Sequence, residues 1–192
     1  MMLGARTAAW GIKTLPYDYA VEYIESDGRQ YASTGVSIAQ SDIVKCQVVP
    51  IGIVGAYIGN TVAWGMQFTY YGGYLVATTR NSRFNIAPQA SAIGSKFIVE
   101  YSSNWCKSNG VDISPISDNN FINANDTYNI FRFHTGTLAS GRIFSASVEK
   151  GGVFAFNLVP CVMDGVPCFY DSVGERFIYD ENGIGFIAGP RI

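Results

Sequence analysis

Only 15% of the 192 residues are charged, against the quarter usual for globular chains, and the 13 lysines and arginines are scattered singly rather than in runs. With a formal net charge of −2 and a pI near 5.3, the chain has no basic stripe to neutralise phosphates. Nucleic acid is therefore excluded as an expected partner. Histidine is nearly absent: His134 stands alone, and the four cysteines, 46, 106, 161 and 168, form no CxxC pairs. Zinc-ligand spacing is missing. The longest apolar runs, such as 51–58, are broken by glycine and fall far short of the roughly 20 residues that cross a bilayer, so no membrane insertion is expected. The first residues, Met1 to Thr14, lack the apolar core and small-residue cleavage site of a secretion signal.

Helical periodicity is missing too. What replaces it is alternation of period two with turn residues every 8–12 positions, the pattern of an all-β sandwich or barrel. Val44, Cys46 and Val48 alternate with Lys45 and Gln47; Phe97, Val99 and Tyr101 alternate with Lys96 and Glu100; Phe131 and Phe133 flank Arg132. Each reads as a half-buried strand. Two hairpins follow from paired glycines that accept positive φ. Lys150-Gly151-Gly152 joins strands at 143–148 and 154–159, and Tyr71-Gly72-Gly73-Tyr74 joins 66–70 to 75–79. Phe154, Phe156 and Leu158 are expected on one side of their strand. A helical turn fits near Tyr170 to Gly174, and the Asp/Asn/Ser-rich stretch 112–127 reads as the longest loop. At 48% hydrophobic residues the chain can fill one β-sandwich core, placed at 17–192 behind an N-terminal arm, 1–16.

The two ends carry the most specific motifs. Val21-Glu22-Tyr23-Ile24-Glu25-Ser26, Gly28, Gln30-Tyr31 and Thr34-Gly35 open the chain. Val159-Pro160-Cys161, Asp164-Gly165-Val166, Phe169-Tyr170-Asp171, Gly185-Phe186 and Ala188-Gly189-Pro190 close it. Together they resemble the concanavalin A-like lectin/glucanase (laminin-G-like) domains of gut bacterial surface proteins and bacteriophage tail or virion proteins. The resemblance covers nearly the whole chain, loosely in its central third, and departs from the family at Cys168, where glycine is common. It implies an antiparallel β-sandwich of the concanavalin-like jelly-roll type, shut by its first and last strands. The segment Met2 to Trp10 is similar to the start of a set of gut-phage proteins, which implies a docking arm joining other virion proteins or further copies of the chain. A frayed terminus is the alternative for this segment.

Candidate chemistry is sparse. Glucan hydrolysis on such a sandwich needs carboxylates sharing one strand face, and no E-x-D-x-x-E run is present. The odd spacing of Glu22 and Glu25 sends them to opposite faces, and Asp180-Glu181 before Asn182-Gly183 reads as a solvated turn. No nucleophile elbow accompanies His134. The chain is therefore read as a non-enzymatic protein. Asp118, Asn120 and Asp126 offer oxygens suited to calcium, as related lectins hold at a sandwich rim, but without D-x-D-x-D-G spacing the reading of an ordinary polar loop stands beside it. Cys161 and Cys168 are close enough to pair across a hairpin; reduced, buried thiols are the expected state. What remains is aromatic: Trp64, Tyr70, Tyr71 and Tyr74 around a glycine turn, with Arg80 and Arg83 following. Sugar rings stack on such side chains, and protein interfaces are rich in them as well. The resulting expectation is a lectin-like adhesion module on a virion or extracellular surface that binds glycans of a bacterial or mucosal surface. A structural capsid-decoration or fibre protein without a sugar ligand is the competing reading, and a hydrolase of unrecognised type is the third.

Overall fold

The computed structural model describes residues 15–39, 41–60, 66–79, 82–116, 126–133 and 137–192. In chain order its strands are β1 (Tyr19–Ala20), β2 (Ile24–Asp27), β3 (Ala32–Ser37), β4 (Ile43–Pro50), β5 (Ala56–Gly59), β6 (Gln67–Tyr71), β7 (Tyr74–Thr78), β8 (Arg83–Pro88), β9 (Phe97–Ser102) and β10 (Trp105–Ser108). They continue with β11 (Val111–Ile113), β12 (Thr127–Ile130), β13 (Arg132–Phe133), β14 (Thr137–Leu138), β15 (Ser140–Lys150), β16 (Val153–Met163), β17 (Val166–Asp171), β18 (Arg176–Ile178) and β19 (Ile187–Ala188). Every pairing is antiparallel. One short helix, α1 (Gln89–Ala92), occurs among the described residues, while the segment after Tyr170 forms a plain turn.

The larger sheet has the order β11-β10-β9-β4-β15-β16-β17-β18, with β1 added to β16, β2 to β15 and β19 to β2. The smaller is β3-β12-β5-β6-β7-β8. They form a sandwich over a single hydrophobic cluster that draws Val44, Cys46, Val48, Val99, Tyr101, Val148 and Phe156 from one sheet and Ile58, Phe68, Leu75, Phe84, Tyr128 and Ile130 from the other. Tyr128 and Phe156 meet edge-on across the gap at 5.8 Å. The inward residues of β4 and β9 are those expected from alternation.

Both glycine hairpins form, as Gly72-Gly73 and Gly151-Gly152, each with two positive φ values that suit a two-residue turn between twisted strands. Two strand expectations are corrected. Ala155 is an extra residue in the β15–β16 ladder, where Val148 pairs with Phe156 and Glu149 with Phe154, so the bulge turns Phe154 outward, 45% exposed, while Phe156 and Leu158 stay buried. Phe131 does not continue a strand: its φ of +61° ends β12, and its buried ring sits against Phe186 at 6.0 Å. Such a conformation is strained for a bulky residue and is held by Phe131 N–H donating to Tyr57 O (3.0 Å) and Phe131 O accepting from Ala139 N–H (2.8 Å).

The two end motifs lie side by side. β19 pairs with β2, Val21 bridges Arg191, and Glu22 N–H donates to Pro190 O at 2.8 Å and Ile192 N–H to Ala20 O at 3.1 Å. Asp180 and Glu181 are more than a solvated turn. Asp180 accepts the backbone N–H groups of Tyr31, Asn182, Ile184 and Gly185, and Glu181 accepts that of Ser33, tying the final turn to β3. Cys161 and Cys168 stand directly opposite on β16 and β17, buried and unlinked, with Sγ atoms 3.6 Å apart. Among the described residues no helix is long and apolar enough to cross a membrane.

Candidate functional site

Strand pairing fixes which side chains share a face, because directly opposed residues project the same way. Phe68 and Tyr70 pair with Ala77 and Leu75 and face the core; Gln67, Thr69 and Tyr71 pair with Thr78, Val76 and Tyr74 and face away from it. On β8, Arg83 and Asn85 oppose Thr78 and Val76 and join that outer face. The face has a buried polar floor: Gln67 Nε2 donates to Asn60 Oδ1 at 2.7 Å and Thr69 Oγ1 to Gly55 O at 2.9 Å. It opens to solvent at the hairpin end, where Tyr71 is 42% and Tyr74 40% exposed. The Arg83 guanidinium reaches across β7 to lie 5.4 Å from the Tyr71 ring centroid, a cation–π contact.

The aromatic cluster expected around the turn is thus divided. Tyr71 and Tyr74 come together on the outer face. Tyr70 does not join them, because neighbouring residues on a strand point to opposite sides; its ring packs edge-on against Tyr57 at 6.4 Å. The Tyr70 hydroxyl is shielded and has no hydrogen-bond partner among the described residues, and burial pushes its pKa up to about 12. Trp64 and Arg80 lie outside the described residues, as do His134 and residues 1–14 of the arm. Of the three oxygen donors suited to calcium, Asp118 and Asn120 also lie outside them, while Asp126 Oδ1 accepts the N–H of Thr127 at 2.8 Å. No group of three or more His, Cys, Asp or Glu that could hold a metal occurs among the described residues.

Asn85 was not singled out by sequence reasoning, and Arg83 was noted only as a neighbour of the tyrosines. Both have shielded polar atoms, Arg83 Nε and Asn85 Oδ1, without hydrogen-bond partners among the described residues. Two signals in the chain could have found them. The alternation Arg83-Phe84-Asn85 around a core phenylalanine places both on one outward face, and no Asp or Glu occurs anywhere from 43 to 99. Two carboxylates elsewhere are engaged structurally: Glu25 Oε2 accepts Arg142 Nε at 2.6 Å, and Asp42, fully buried, accepts the Tyr128 hydroxyl at 3.0 Å. In comparison with known proteins, the chain matches no family model, no curated protein and no solved structure.

Proposed function

We propose that the chain is a non-enzymatic, lectin-like recognition module of a bacteriophage virion, in its tail or head fibre, or of a bacterial surface, built on a concanavalin-like jelly roll. It binds glycans on the outer face of the six-stranded sheet. The observation that carries the reading is the exposed cross-strand pair Tyr71 and Tyr74, with Arg83 against one ring, at the open end of a polar floor. Sugar rings stack their C–H faces on tyrosine while guanidinium and amide groups meet the hydroxyls. Such shallow contacts are weak singly and gain strength when many copies act together, the setting a particle or cell surface supplies. The 1–16 arm is the docking element in this reading.

A glycan array that includes mucin and bacterial polysaccharides tests it. At least one reproducible hit is expected, weakened by Tyr71→Ala or Tyr74→Ala; silence on every glycan would count against the proposal. A purely structural capsid-decoration or fibre role is the second reading, favoured by the apolar tip of the β15–β16 hairpin, where Val153 is 71% and Phe154 45% exposed. Self-association in mass photometry that Phe154→Ser abolishes would support that role.

A further inference from the structure

We infer that the ligand of this face is an acidic saccharide, a pyranose bearing a carboxylate that Arg83 receives. The inference rests on the glycan-binding reading and narrows it.

Charge in this chain is unevenly placed. Although the whole chain has a formal net charge of −2, residues 43 to 99 contain no Asp or Glu and four cations, Lys45, Arg80, Arg83 and Lys96. Two of the four are committed elsewhere: Lys45 bridges Glu100 and Glu149, and Lys96 sits 3.7 Å from the Phe144 ring centroid. Arg83 is the charged residue of β5 to β8, and among the described residues it forms no ion pair with a carboxylate. The Tyr71 ring supports its guanidinium without consuming its in-plane donors.

The chemistry left over is specific. Arg83 is only half-buried and carries no counter-charge among the described residues, and a guanidinium matches the two oxygens of a carboxylate in plane. Asn85, half-buried on the same strand face, places an amide beside that carboxylate. A neutral sugar can stack on Tyr71 and Tyr74 but leaves the guanidinium without its counter-charge. Where a site holds polar groups that only one ligand class can satisfy, discrimination follows from the groups left unpaired by the other class.

The test uses the full chain and matched ligands: sialyllactose against lactose, and galacturonate oligomers against the same oligomers with their carboxyl groups reduced to alcohols. Titration calorimetry at low salt is expected to give roughly tenfold tighter binding of an acidic member, the scale of one charge-assisted hydrogen bond. The advantage should shrink as salt is raised and vanish in Arg83→Gln, while Arg83→Lys, which keeps the charge without the fork, retains part of it. Thermal unfolding of each variant confirms that the fold is kept. Equal binding of acidic and neutral members, or a preference that survives in Arg83→Gln, would overturn this inference alone; silence towards every saccharide would remove the reading beneath it as well.

Discussion

Removing the Tyr70 hydroxyl should make the protein more stable. The ring is packed edge-on against Tyr57, but its oxygen is shielded from solvent and finds no hydrogen-bond partner among the described residues. A buried polar group left unsatisfied costs about 1–3 kcal/mol, and phenylalanine keeps the ring while deleting the oxygen. Tyr70→Phe is therefore expected to gain about 1 kcal/mol, the lower end of that range because the residue is only half-buried. For a chain of this size that is a rise of roughly 2–4 °C in Tm. The effect should grow in alkali. Burial raises the phenol's pKa from 10.0 to about 12, so the fold favours the neutral form. That contribution is complete below pH 10 and is lost as pH climbs through about 12, because the unfolded chain ionises first. The phenylalanine variant has no such loss, so its margin over the parent should widen across that window. Urea unfolding followed by circular dichroism at a series of pH values measures both effects. A variant that is less stable than the parent at neutral pH, or a margin that narrows between pH 10 and pH 12, would refute the argument by showing that the hydroxyl has a partner in the fold.

Gly141→Ala should cost about 1–3 kcal/mol, since a Cβ there would meet Tyr57 Cε1 at 2.7 Å and Val49 O at 2.9 Å; an unchanged Tm would show that both the Tyr57 ring and the β4 backbone give way freely. Asp180→Ala should free the backbone N–H groups of Tyr31, Asn182, Ile184 and Gly185 together, lowering stability by about 1–3 kcal/mol. Hydrogen exchange should then accelerate at those amides, and unchanged protection would remove the clamp from the account of the fold. All four cysteines are buried, and burial pushes Cys46 up and Cys106 up to about 12, so the folded protein should resist a thiol reagent at pH 8 and expose four reactive thiols on unfolding. A thiol that reacts in the folded state at the rate of free cysteine would contradict the packing.

Alternation reported the faces of β4 and β9 because each strand has one dry side, and the glycine pairs reported their hairpins because the turn needs positive φ at both positions. Where the sequence misled, a single residue broke the period. Ala155 adds one position to its ladder and reverses Phe154, and Phe131 takes a left-handed backbone that no local signal marks, since the bonds holding it come from Tyr57 and Ala139. The candidate site was half legible. Tyr71 and Tyr74 were found by their glycine turn, but Tyr70 was grouped with them by proximity in sequence, which on a strand is the wrong measure. Arg83 and Asn85 reach the same face only through the pairing of β7 with β8, a relation between segments that composition of either one does not contain.

The clasp of β19 and the residues after it on the segment from Ala20 through β2 has a mechanical consequence. Ala20 lies opposite Ile192, and Val21 opposite Arg191, so Ile192 sits at the outer end of an antiparallel seam, while Asp18 and Tyr19 just before it are held to Val162 of β16. Tension applied between the two ends would peel the clasp open one hydrogen bond at a time, starting at Ile192, instead of shearing several bonds at once. A pull applied on the N-terminal side alone would load the pairing of β1 with β16 before it reaches that seam.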